Sequence, residues 1–177
     1  MNSIKKFVAV ALAASLAACG GKQDAAEPVP ATEVPVVESK PADAPAVIDP
    51  VDSLSKRLAD GGYATQSGTL SDGRLANDGK DGYLLFGPYA SFKAGTYTVS
   101  IKGALLDLPV GGKVRMDVAS HKGQEVHGGV DVSTPGELPT FEFTLSESVA
   151  DLEIRVRTTG NAKVNIESYQ VAPMKKP

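Results

Sequence analysis

The chain has 177 residues, with 18 Lys and Arg, 21 Asp and Glu, two His and a formal net charge of -3. That is enough for one domain of ordinary size with chain to spare, and it lacks the basic excess of a nucleic-acid-binding face, so no nucleic-acid partner is expected. Aromatic residues make up 6%, Trp is absent, and Gly and Pro together number 30, which argues against a helical bundle and for a turn-rich β-protein with a loose segment attached.

Residues 1–18 read MNSIKKFVAVALAASLAA: a basic start at Lys5 and Lys6, an apolar stretch from Phe7 to Leu16, then small residues. These are the three parts of a secretory signal, and the run falls short of the about 20 apolar residues that a spanning helix needs. Its removal would leave 16 basic against 21 acidic residues, a charge of -5. The only Cys of the chain follows at once, and Leu16-Ala17-Ala18-Cys19 resembles the lipobox of bacterial lipoproteins. The resemblance implies cleavage before Cys19, lipidation of its sulfur and a membrane partner. One acyl chain holds only marginally, at about 0.8 kcal/mol per buried CH₂, whereas the two or three chains of that family make a lasting anchor. Gly20 stands where an Asp commonly retains such lipoproteins in the inner membrane. The resemblance therefore implies the outer membrane, with the domain facing the periplasm.

Cys19 opens a linker over 19–50. Residues 20–50 contain no aromatic residue and no Leu, but six Pro and six acidic residues among Ala and Val. Such a stretch buries too little apolar surface to offset its ordering entropy, and the expectation is a disordered, partly polyproline-like spacer. Fully extended at about 3.1 Å per residue, it would reach on the order of 90 Å. Asp49 as N-cap, Pro50 at the first helical position, Val51, Leu54 and Leu58 on one face, and Gly61 just past the end predict a short helix over 51–61.

From residue 62 to 173 the signal is period two, broken by Gly turns about every ten residues. Tyr97, Val99 and Ile101 alternate with Thr98 and Ser100; Val114, Met116 and Val118 with Arg115 and Asp117; Val126, Val130 and Val132 with Glu125, His127 and Asp131. Phe141, Phe143 and Leu145 follow, then Leu152, Ile154 and Val156 against Glu153, Arg155 and Arg157, and a last run from Val164 to Val171. With Tyr83 to Tyr89 and weaker runs at 63–69 and 74–77, this predicts an all-β, antiparallel β-sandwich of about eight strands.

The segment Asp81-Gly82-Tyr83-Leu84-Leu85-Phe86-Gly87-Pro88-Tyr89, followed by Phe92-Lys93-Ala94-Gly95-Thr96-Tyr97-Thr98-Val99, resembles the Gly-Pro-Tyr, spacer, Gly-x-Tyr-x-Val pattern of jelly-roll carbohydrate-binding modules. Each piece also has a local explanation, a strand bending at Gly87-Pro88 and a turn at Ala94-Gly95, and an immunoglobulin-like sandwich is the rival topology. The resemblance implies a jelly roll that binds a glycan without catalysis.

Chemistry-bearing motifs are sparse. No G-x-S-x-G motif is present, so no enzyme is expected. A glycosidase would need two carboxyls facing each other at about 5–9.5 Å across a cleft, and a sandwich without long loops builds such a cleft poorly. His121 and His127 flank a turn with Asp117 and Asp131 near in sequence; without a zinc spacing motif they read as exposed polar residues rather than metal ligands. Asn77-Asp78-Gly79-Lys80-Asp81-Gly82 partly imitates a calcium loop, with Asn77 and Asp81 as candidate metal ligands for a structural Ca²⁺. Gly79 at the third ligand position and Pro88 in place of the bidentate Glu exclude an EF-hand, a Gly-rich turn is the preferred reading, and no cofactor is expected.

The candidate ligand-binding residues are therefore the outward-facing Arg115, His127, Arg155 and Arg157, whose donors suit sugar hydroxyls and acidic sugars, and the flat rings of Tyr63, Tyr83 and Tyr89. A solvated face laced with cross-strand ion pairs is the plainer reading of the same charges. The two partner classes are an envelope glycan and, as the alternative, an envelope protein in an assembly role.

Overall fold

The alternating runs become strands because each places its apolar residues on one side of a pleat, and in the computed structural model, which describes residues 49–174, those sides meet in one interior. The expected signal segment, Cys19 and the linker up to residue 48 lie outside the described residues. In chain order the strands are β1 (Leu54–Arg57), β2 (Gly68–Ser71), β3 (Arg74–Asn77), β4 (Gly82–Leu85), β5 (Pro88–Phe92), β6 (Gly95–Asp107) and β7 (Lys113–Ser120). They continue with β8 (Glu125–Val132), β9 (Gly136–Glu137), β10 (Phe141–Leu145), β11 (Val149–Thr159) and β12 (Lys163–Pro173).

Two sheets result. One runs β10-β6-β12-β3-β2, with β1 on the free part of the β12 edge and β9 on β6; the other runs β4-β11-β7-β8, with β5 continuing the β4 side of β11. All these pairings are antiparallel. The chain changes sheet between β3 and β4, β5 and β6, β6 and β7, β8 and β10, β10 and β11, and β11 and β12. Taking β3, β4, β6, β7, β8, β10, β11 and β12 as the eight principal strands, this is the two-sheet order of a jelly roll, and it rules out the immunoglobulin-like alternative.

The core lies between the sheets. Tyr97 stacks on Phe143 at 5.3 Å between ring centroids and meets Phe92 edge-on at 5.6 Å, while its hydroxyl donates to the Lys93 carbonyl at 2.8 Å. Leu84, Met116, Leu152, Ile154 and Ile166 are fully enclosed beside them. Each such side chain contributes about 1.5–3 kcal/mol through burial.

The structure departs from the sequence expectation in three places. The helix expected over 51–61 is absent: Val51 exchanges backbone hydrogen bonds with Ser91 and Lys93, Leu54–Arg57 pairs with Ser168–Val171 as β1, and only Leu58–Asp60 coils, as a 3₁₀ turn. A helix of about ten residues is marginal alone, whereas an open β12 edge offers ladder hydrogen bonds and still lets Leu58 reach the core, where it is fully buried. The run Tyr83 to Tyr89 divides into two strands at Gly87, whose φ of 116° suits glycine. Finally, the β7–β8 register slips between Val118 and Ala119, a bulge that turns Val126 outward, 50% exposed, and tucks the His127 side chain in, 8% exposed, the reverse of simple alternation.

Candidate functional site

Antiparallel partners share a face, so the register of β11 dictates what meets on the outer side of its sheet. Tyr83, Arg157, Arg115 and Asp131 form one cross-strand row; Arg155, Asp117 and Gly129 the next; Glu153, Ala119 and Val126 a third, ending at Pro88. Period two on β11 thus aligns Glu153, Arg155 and Arg157, and four of the candidate binding residues, Tyr83, Arg115, Arg155 and Arg157, come together here.

The middle row is an ion-pair network. Arg155 Nε donates to Asp117 Oδ1 at 2.6 Å and Arg155 Nη1 to the Gly123 carbonyl at 3.2 Å, with Arg155 and Asp117 each only 8% exposed. Arg115 lies 3.5 Å from the other Asp117 oxygen and donates to Asp131 at 3.1 Å. Gly129 makes room for the Asp117 side chain: a Cβ there would come within 2.7 Å of Asp117 Cβ and 2.6 Å of the Met116 carbonyl. Burial acts to lower the Arg155 pKa, but the hydrogen bond and charge of Asp117 outweigh it and raise it.

Tyr83 is the aromatic centre of this face. The Arg155 and Arg157 guanidinium carbons lie 5.5 and 5.9 Å from its ring centroid, and Phe86 tilts against it at 5.9 Å. Its main chain is tied to Gln66, whose side-chain oxygen accepts from Tyr83 N–H at 3.2 Å. Arg157 is exposed and, among the described residues, has no carboxylate within salt-bridge distance.

Beside Tyr83 opens a pocket of about 430 Å³ lined by Gln66, Tyr83, Phe86, Tyr89, Lys122, Glu153 and Arg155. Tyr89 is half exposed at its rim and sits at a φ of 60°, a left-handed conformation that costs a residue of this kind about 1–2 kcal/mol. Lys122 is delivered by a turn in which His121, Lys122 and Gly123 all have positive φ. The Asp151 carboxylate clamps that turn, accepting from His121 N–H at 2.9 Å and Lys122 N–H at 2.8 Å. Burial works to raise the Asp151 pKa, and those two backbone bonds overcome it and hold the carboxyl below its ordinary value.

Glu153 was legible in the sequence as an outward residue, yet its importance was not. It is 6% exposed, and among the described residues it makes no hydrogen bond and no ion pair. Burial pushes its carboxyl up; Arg155 opposes this, and Asp151 and Asp117 add to it. Only the fold shows that this acid is enclosed and unpartnered.

The remaining candidates have other roles. Tyr63 is half-buried and packed against the core, and it does not line the Tyr83 pocket. His127 Nε2 lies 2.7 Å from the buried Ser120 hydroxyl, which also meets His121 Nδ1 at 2.9 Å, and Glu125 sits 3.2 Å from His121 and 3.8 Å from His127. The two histidines are thus joined through Ser120, while Asp117 and Asp131 are held by arginines. The candidate calcium ligands clamp the β11–β12 turn instead: Asn77 donates to the Ala162 carbonyl and accepts from Val164 N–H, and Asp81 accepts from Gly160 N–H. Among the described residues no group of three His, Cys, Asp or Glu side chains is placed to hold a metal.

A cavity of about 520 Å³ on the other sheet is larger, but three of its lining charges, Arg74, Lys102 and Glu167, already satisfy one another. Glu167 bridges Arg74 and Lys102, each at 2.6 Å, and hydrogen bonds from Lys102 and then Arg74 hold its carboxyl below the ordinary value. No aromatic ring lines that cavity.

No family model and no curated protein matches this chain. Among solved structures it is similar to the C-terminal CBM6 of LamC, a marine laminarinase from Zobellia galactanivorans, at 11% identity over 68% of this chain and 98% of that one, TM-score 0.45. A carbohydrate-binding module of Cellvibrio mixtus lichenase 5A, solved with cellotriose, gives 14% identity over 69% and 98%, TM-score 0.45. A glycosylation-associated protein complex from Streptococcus agalactiae gives 10% over 68% of this chain and 26% of that one, TM-score 0.45. At these scores the fold rests on the two sheets described above, and the site on its own geometry.

Proposed function

We propose that this chain is a bacterial lipoprotein, anchored through acylated Cys19 to the outer membrane and facing the periplasm, whose jelly-roll domain is a non-catalytic glycan-binding module. The observation that carries the ligand class is the Tyr83 face: an aromatic ring with two guanidinium groups 5.5 and 5.9 Å from its centre, opening onto a pocket rimmed by a half-exposed Tyr89. A sugar ring offers an apolar face for stacking and a fringe of hydroxyls for charged donors and acceptors, and this site presents both complements. Of the carboxylates near Glu153 among the described residues, Asp117 and Asp131 are engaged by arginines and Asp151 by the His121 and Lys122 N–H groups, so none is a free acid facing Glu153 as glycoside hydrolysis would use.

The test is a glycan-array and peptidoglycan pull-down screen on the chain with Cys19→Ala, beside the same chain carrying Tyr83→Ala and Arg157→Ala. Saturable binding that falls at least about tenfold in the variant supports the reading. A folded chain that binds no glycan would replace it with the protein-interaction reading, for which the fully exposed Val110 at the β6–β7 turn is the first surface to crosslink. Membrane fractionation in cells tests the anchor separately: wild-type chain should pellet with membrane, and Cys19→Ala should not.

A further inference from the structure

We infer that the Tyr83 pocket selects an acidic amino sugar, one that turns an N–H toward Glu153 and a carboxylate toward Lys122; this rests on the glycan reading above. Three observations converge on it.

The first is Glu153. A carboxylate on a residue only 6% exposed, without a hydrogen-bond donor of its own among the described residues and lining the pocket, is an acceptor that meets solvent only through that pocket. A hydroxyl can donate to it, but hydroxyls surround every sugar and do not discriminate. An amide or ammonium N–H at one ring position does, and a bond to an ionised acceptor is the stronger kind.

The second is the cations. Lys122 and Arg157 have no carboxylate within salt-bridge distance among the described residues, whereas Arg115 and Arg155 are both paired. Lys122 is held in place by the Asp151 clamp on its own backbone N–H, leaving its ammonium free for the pocket. The third is the arrangement: Tyr83 and Tyr89 line the same pocket as Glu153 and Lys122, so a pyranose lying on the rings would have the acceptor and a cation at its edges. Burial, and then the Glu153 charge, raise the Tyr89 phenol pKa, which agrees with Glu153 lying beside that ring.

Four sugars separate the two groups: glucose has neither, N-acetylglucosamine has the N–H, glucuronic acid has the carboxylate, and N-acetylmuramic acid has both. Each is titrated by NMR, at up to millimolar ligand, into the Cys19→Ala chain, into that chain with Glu153→Gln, and into that chain with Lys122→Gln. The expected result is that N-acetylmuramic acid binds at least about tenfold tighter than glucose. Glu153→Gln should erase the advantage of the N-acetylated sugars and keep that of the acidic ones, and Lys122→Gln should do the reverse. If glucose binds as tightly as N-acetylmuramic acid, the selectivity is wrong and the glycan reading stands. If none of the four shifts a resonance of the folded chain, the glycan reading falls and takes this inference with it.

Discussion

Replacing Arg155 with Ala should unfold this domain more readily than any other single arginine change on the Tyr83 face. The guanidinium holds Asp117 at 2.6 Å where both are 8% exposed, so its loss strands a buried carboxylate. Removing one partner of a buried pair costs about 3–5 kcal/mol, and the lower end applies because Arg115 remains 3.5 Å from Asp117. We expect a loss of about 3 kcal/mol in urea unfolding at pH 7. Arg157→Ala removes an exposed cation whose aromatic contact among the described residues is Tyr83 at 5.9 Å, and should cost no more than about 1 kcal/mol. Asp117→Ala combined with Arg155→Ala should lose less than the two single changes together, with a coupling of about 2 kcal/mol. An Arg155→Ala chain within about 0.5 kcal/mol of wild type would show that the pair carries no stability, and the account of this face would be wrong. The result also bears on binding tests: Arg157 can be altered with little cost to the fold, and Arg155 cannot.

Glu153→Gln should stabilise the chain at neutral pH by on the order of 1 kcal/mol, by relieving an unpartnered buried charge. Because folding raises the Glu153 pKa, its proton favours the folded state fully below the unfolded value and that contribution is lost as pH rises through the folded one. The advantage of Gln should therefore shrink as pH falls through the range just above ordinary glutamate titration; an advantage unchanged across it would refute the assignment. Tyr169, whose hydroxyl has no hydrogen-bond partner and whose burial pushes its pKa up to about 12, should tolerate Phe at no cost or with a gain of up to about 1 kcal/mol. A loss above 1 kcal/mol on urea unfolding would mean that the hydroxyl is satisfied after all. Gly103→Ala should cost about 3 kcal/mol or prevent folding, because its Cβ would run into the Asn165 carbonyl across the β6–β12 ladder; wild-type thermal stability would show that the strands can part there cheaply.

The strands and their inward faces were legible in the sequence because alternation is a local property: Tyr97, Val99 and Ile101, or Leu152, Ile154 and Val156, point one way whatever they pack against. The same parity identified Arg155 and Arg157 as outward. What alternation does not contain is neighbour identity. That Arg155 meets Asp117, that Tyr83 lies beside Arg157, and that Glu153 is largely enclosed without a partner among the described residues follow from β11 pairing with β4, β5 and β7, whose partner residues lie 34 to 76 positions away in the chain.

The misreadings share that cause. Leu54 and Leu58 are spaced as well for a helix as for a strand and turn, and the exposed β12 edge decided between them. Strict period two placed His127 outward, and one bulge opposite Val118 and Ala119 reversed it. For Asn77 and Asp81 the sequence preferred a Gly-rich turn over a cation site, but it did not show that their oxygens accept from Val164 and Gly160 N–H at the distant β11–β12 turn. The sequence by itself determined which residues could enter a core and which could carry charge, since both depend on side-chain chemistry and local pleat. Only the tertiary structure decided which charges are paired and which are left facing a pocket, because pairing depends on register between strands distant in the chain.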